Sequence, residues 1–131
     1  MSEPVWIDVR EATVLHEQLL ALHGGRAGVR DAGLLESALS PPQNRWVYEE
    51  RSGIVEFAAA YTAGVVGNHP FIDGNKRTGF VVGVLFLELN GYQFFASEED
   101  AVEAVLALAA GAMNEEGYAA FLAVNSRLSN A

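Results

Sequence analysis

The chain has 131 residues, 50% of them hydrophobic and 19% charged, which is material for one core over residues 1–131 and excludes intrinsic disorder. Seventeen acidic against eight basic side chains give a formal charge of -9, so most of this surface would repel a nucleic-acid backbone. No cysteine is present, which removes disulfides, thiolate metal sites and a cysteine nucleophile together and fits a reducing cytoplasm.

The opening MSEPVWIDVREAT places acids where a secretory signal needs a basic and then an apolar run, so cytoplasmic localisation is expected. Asp8 precedes a first helix in which Val9, Ala12, Leu15, Leu19 and Leu22 recur at three- and four-residue steps, with Glu11 placed to complete a capping box. Gly24 and Gly25 end it. Asp31 is the N-cap of a short helix that must stop before Pro41 and Pro42, because the residue before a proline is pushed out of the helical region. The stretch PPQNRWVYEERSG, with Arg45, Trp46 and Tyr48, shows no helical period and reads as a surface loop or small hairpin.

Ser52 should cap a helix through IVEFAAAYTAGVVG, apolar almost all round, and a second such helix begins after Asp73 and ends at Gly91. These two form the expected core pair, brought close by Gly64, Gly67, Gly79 and Gly83. The longest uncharged apolar run, Gly79 to Leu87, is nine residues, where a membrane span needs about twenty. YQFF reads as a short strand, Ser97 caps EEDAVEAVLALAAG, and Asn114 opens a last helix through EEGYAAFLAVNSRL. Five or six helices without repeats or βα alternation predict a compact all-α bundle.

Chemistry concentrates in the connection between the two buried helices, Asn68-His69-Pro70-Phe71-Ile72-Asp73-Gly74-Asn75-Lys76-Arg77-Thr78. Lys76 is the only lysine of the chain, and it stands beside Arg77 in a first helical turn, where the macrodipole disfavours cations. Two cations there call for an anion. Unpaired amides at the helix start, entered through Gly74, make Gly74, Asn75, Lys76 and Arg77 an expected phosphate cradle. Asp73 offers Mg²⁺ a hard oxygen ligand, and His69 belongs to the residue type that accepts protons near neutral pH. Singly, these residues make ordinary caps and turns; it is the cationic pair that shifts the reading toward a site. A GxxxxGK[ST] phosphate loop does not fit, since the glycine-to-lysine spacing is wrong and the preceding element is helical. His16 and His23 lack a third ligand at helical spacing, so packing or surface roles are expected for them. Glu98, Glu99 and Asp100 compensate a helix dipole.

The string HPFIDGNKRT resembles the signature of the Fic/Doc superfamily, His-x-Phe-x-Asp/Glu/Asn-Gly/Ala-Asn followed by Gly-Arg or Lys-Arg, and looks like its Doc (death-on-curing) toxin branch. The likeness takes in the first helix, the GLLESAL-PPQ segment and the two buried helices. It implies a single-domain helical bundle with a small flap loop over the site, on which Arg45, Trp46 and Tyr48 would lie. It also implies that His69 is the base for a target hydroxyl, that Phe71 anchors the loop, that Asp73 binds Mg²⁺, and that Gly74, Asn75, Lys76 and Arg77 hold the triphosphate of ATP. Fic adenylyltransferases continue Gly-Asn-Gly-Arg-x-x-Arg, whereas here Lys76 replaces the second glycine, Phe80 the last arginine, and Val81 stands where the Doc branch carries an asparagine. In that branch the lysine goes with reversed nucleotide binding. The implied activity is transfer of the γ-phosphate to a Ser or Thr hydroxyl of a translation elongation factor, with an adenylyltransferase or an inactive nucleotide-binding module as the alternatives. The inhibitory Ser/Thr-x-x-x-Glu-Gly/Asn helix of many Fic enzymes has no match, since neither Thr13 to Gln18 nor Ser52 to Phe57 carries Gly or Asn after its glutamate. Inhibition in trans by an antitoxin is therefore expected.

Overall fold

The computed structural model describes residues 2–48 and 52–129, and the elements within them follow from local signals. Helix α1 (Val9–His23) starts on a complete capping box, with Asp8 accepting from the Glu11 amide and Glu11 reaching back to the Asp8 amide. It stops at Gly24, whose φ of 78° a side chain would disfavour. Helix α2 (Ala32–Leu39) is capped by Asp31, α6 (Glu98–Ala109) by Ser97 and α7 (Glu115–Val124) by Asn114, each accepting an otherwise orphaned amide. The central pair is α4 (Ile54–Asn68) and α5 (Asn75–Leu89).

Three expectations need correction. Residues 41–48 of the expected flap are helix α3 (Pro41–Tyr48), while Glu49, Glu50 and Arg51 lie outside the described residues. Prolines are tolerated in a first turn, where their missing N–H groups would have no partner, and the Asn44 amide already bonds to the Ser40 carbonyl. No helical period marks α3 because Pro42 is its one buried residue. Arg45 pairs with Glu115 at 2.6 Å, Trp46 packs edge-on against Trp6, and Tyr48 is 83% exposed. The α4 cap is Gly53 and not the Ser52 side chain. The last helix ends at Val124, where the Asn125 side chain donates to the Phe121 carbonyl. Its expected continuation is instead strand β2 (Ser126–Leu128), antiparallel to β1 (Tyr92–Phe94), with Tyr92 opposite Leu128. Among the described residues the fold is thus seven helices and one small two-stranded ribbon, an all-α architecture. None of these helices is long and apolar enough to cross a membrane.

The core is built around α4, in which every residue from Phe57 to Thr62 is buried and which packs on α2, α3, α5, α6 and α7. Close approach to α5 rests on Gly79 and Gly83: a Cβ on either would press into Thr62, and on Gly83 also into the Ala58 carbonyl. Thr62 Oγ1 uses that proximity to donate to the Gly79 carbonyl at 2.8 Å. Gly64 does the same for α2, lying against the Ala38 backbone, whereas Gly67 faces open space. The rigid α4–α5 pair fixes the two ends of the short loop that joins them, and the polar motif lies on that loop.

Candidate active site

His69 closes α4 as its C-cap with φ 49° and ψ 54°, the one non-glycine residue with positive φ among the described residues. Such a conformation costs on the order of 1–3 kcal/mol and persists only where surroundings over-determine it. Here they do so through the backbone. The His69 amide bonds to the Val65 carbonyl, and Arg30 donates from Nε to the His69 carbonyl at 2.7 Å and from Nη2 to the Asn68 carbonyl at 2.9 Å. The Arg30 amide bonds in turn to the Pro70 carbonyl, and Val29 forms an isolated antiparallel bridge with Phe71. With its backbone held on that side, the His69 imidazole is left exposed at the rim of a pocket.

Beneath the loop, Phe71 is 1% exposed and stacks face to face on His16, with ring centroids 3.9 Å apart and planes 9° from parallel. His16 is itself buried, and its Nε2 lies 2.7 Å from the Asp73 carbonyl. A carbonyl can only accept, so Nε2 carries the proton. The side chain of Asn75 grips the same loop from the α5 end: Oδ1 accepts from the Phe71 amide and Nδ2 donates to the Phe71 carbonyl, both at 3.0 Å. Its amide group therefore faces the protein, and only its backbone N–H is available to a ligand.

Asp73 accepts from two amides, Arg26 to Oδ2 at 3.1 Å and Gly74 to Oδ1 at 2.9 Å. These bonds, foremost that from Arg26, hold its carboxyl below the usual value of 3.8 and favour the charged form. Gly25 makes the Arg26 approach feasible, since a Cβ there would meet Leu20 at 2.8 Å and Asp73 Oδ2 at 3.1 Å. Gly74 then enters α5 at φ 78°. No side chain caps that helix and no acid stands in its first turn, so the amides of Asn75, Lys76 and Arg77 await an acceptor. Thr78 is the first to bond back, to the Gly74 carbonyl.

His69, Asp73, Gly74, Asn75, Lys76 and Arg77 thus line one open polar pocket, with Ile72 at its edge. The arrangement pairs a proton acceptor and a carboxylate with two exposed cations and a helix start. That set can bind a polyanion and take a proton beside it. No trio of His, Cys, Asp or Glu is placed to hold a metal among the described residues. Asp73 alone offers a hard ligand, a donor set that fits Mg²⁺ completed by phosphate oxygens and water. Phe80 packs edge-on against Phe94, and Val81 is half-buried beside it on α5.

His16 and Arg30 are the contributions that sequence reading did not assign to the site. For His16 the signal existed, because it lies four residues after buried Ala12 on the inner stripe of α1. For Arg30 it did not, since its acceptors are 38 and 39 residues away in the chain. His23 ends α1 in an exposed position and shares no site with His16.

A family model described as the Fic/DOC family matches residues 6–87, which run from just ahead of α1 through the motif loop and most of α5. The chain is similar to Protein kinase doc of Escherichia phage P1, 37% identical over 93 residues that cover 71% of this chain and 74% of that protein. It is also similar to Toxin Doc of Mycolicibacterium smegmatis, 40% identical over 75 residues that cover 56% of this chain and 57% of that protein.

Proposed function

Since the chain belongs to the Fic/DOC family, we propose that it is a Doc-type toxin, a protein kinase that transfers the γ-phosphate of ATP to a Ser or Thr hydroxyl of a translation elongation factor. The observation that carries this reading is the convergence of an exposed, strained His69 with Asp73, the open head of α5, Lys76 and Arg77 on one pocket. Names of the two relatives, a protein kinase and a toxin, point the same way.

In this mechanism the α5 amides, Lys76 and Arg77 bind the triphosphate and hold its charge in place, which is most of what phosphoryl transfer requires of a protein. His69 takes the proton of the target hydroxyl as that oxygen attacks the γ-phosphorus. The bond between the γ-phosphorus and the bridging oxygen breaks, and ADP leaves. Asp73, kept charged by its two amide bonds, would hold Mg²⁺, which neutralises phosphate charge when bound. Lys76 places a long cationic side chain where an adenylyltransferase needs bare backbone for the α-phosphate, and this favours attack at the γ position. Neither sequence string near the Fic inhibitory pattern completes it, so control is assigned to an antitoxin acting in trans, a small protein whose segment folds on this domain.

Expression of the chain alone in bacteria should arrest growth and translation, and co-expression of the small gene adjoining its own should restore both. Harmless accumulation of protein shown to be folded would contradict the toxin reading.

A further inference from the structure

Beneath the motif loop, α1 places a polar ring where an apolar one would pack as well. His16 is 2% exposed, lies flat on Phe71 with ring centroids 3.9 Å apart, and follows Ala12 on the inner stripe of the helix. A phenylalanine could make that stack. What the imidazole adds is the Nε2–H that donates to the Asp73 carbonyl at 2.7 Å. This bond fixes the peptide plane between Asp73 and Gly74. In a trans peptide the carbonyl and the following N–H point to opposite sides, so a carbonyl drawn to His16 turns the Gly74 amide the other way, where it donates to Asp73 Oδ1 at 2.9 Å. Both carboxylate oxygens are then assigned, Oδ1 to the Gly74 amide and Oδ2 to that of Arg26 at 3.1 Å. Each oxygen keeps a further lone pair for a cation.

We propose that His16 is a positioning residue for Asp73, holding its carboxylate in the orientation that takes Mg²⁺ beside the nucleotide phosphates; the proposal rests on the metal role given to Asp73 above. His16 does not itself line the pocket. Its effect passes through one peptide plane to one carboxylate. Without the donor, the Asp73 carbonyl loses its partner and the 73–74 plane is free to turn, which takes the Gly74 amide off Oδ1 and leaves the carboxylate less firmly aimed. Partners one bond removed from a metal ligand are commonly worth about 10–100-fold in metal affinity. Lys76, Arg77 and the amides at the head of α5 are placed by the helix, so the hold of the protein on metal-free phosphates does not depend on His16.

Calorimetric titration of ATP in Mg²⁺ and in EDTA, without a target protein, gives the factor by which the metal strengthens binding. His16→Phe keeps a flat ring on Phe71 and removes the donor; His16→Met, flexible and of similar volume, removes it too and serves if the first variant does not fold. His16→Gln keeps an N–H for the carbonyl. The phenylalanine variant should cut the Mg²⁺ factor by about tenfold or more while binding ATP in EDTA as the unaltered protein does, and the glutamine variant should lose less. In an Asp73→Asn background, where the metal ligand is already gone, His16→Phe should change the factor no further. A merely structural role would weaken ATP with and without the metal in proportion. Such a proportional loss, an unchanged factor in a folded His16→Phe or His16→Met variant, equal losses for glutamine and phenylalanine, or additive effects of His16→Phe and Asp73→Asn would each overturn the positioning role and leave the kinase reading standing. If Mg²⁺ does not strengthen ATP binding to the unaltered protein, or Asp73→Asn alone leaves the factor unchanged, the metal role of Asp73 falls, and this proposal with it.

Discussion

Replacing His69 with alanine should slow phosphate transfer to the target by about 10²–10⁴-fold, the contribution of a positioned general base, while ATP and Mg²⁺ still bind. The separation is expected because the structure engages His69 through its backbone: the amide with Val65 and the carbonyl with Arg30 remain when the imidazole goes. Single-turnover rates beside thermal melts would show it. His69→Asn is the matched control, since asparagine tolerates the left-handed backbone at φ 49° better than alanine does. A variant that keeps its fold and its rate would remove His69 from the reaction.

A comparable effect on stability is expected at Phe71, where truncation to alanine should lower the unfolding free energy by about 3–5 kcal/mol. That is a large share of the roughly 5–15 kcal/mol available to a single domain. The ring is almost wholly buried and lies flat on His16, so its loss opens a cavity under the loop that carries His69 and Asp73. Phe71→Leu should cost markedly less, because much of the volume is restored. The denaturant midpoint of each variant, with the slope unchanged, gives the comparison; a loss below about 1 kcal/mol for the alanine variant would contradict the role of the ring as the keel of the loop.

Local chemistry explains which parts of this molecule could be read in advance. The starts of α1, α2, α6 and α7 were legible because Asp8, Asp31, Ser97 and Asn114 bond to amides within their own next turn. The α4–α5 pair was legible because both are apolar along most of their length, α4 around most of its surface and α5 along the buried stripe Thr78, Gly79, Val82, Gly83, Phe86 and Leu87. α3 was missed since two prolines at a helix start resemble two prolines in a loop, and its exposed turns carry no apolar stripe. β2 was missed because its pairing partner lies across α6 and α7, at Tyr92–Phe94. The polar residues of the motif could be picked out by type and spacing, but not the way they are held. Arg30 reaching two carbonyls and the Arg26 amide on Asp73 depend on the 24–31 segment folding against the loop. Such contacts between distant segments leave no trace in local periodicity.

In the proposed reaction His69 directs attack at the γ-phosphorus, and intact-mass measurement of the target tests this. Purified elongation factor incubated with this protein, ATP and Mg²⁺ should gain the mass of a phosphate, and over the same interval only a trace of that product should form when His69→Ala replaces the unaltered protein. Lys76→Gly should open room at the head of α5 and admit some adenylate, although the absence of an arginine at Phe80 keeps that product scarce. An adenylate adduct formed by the unaltered protein would overturn the kinase assignment, because it would place the α-phosphate, and not the γ-phosphate, beside His69.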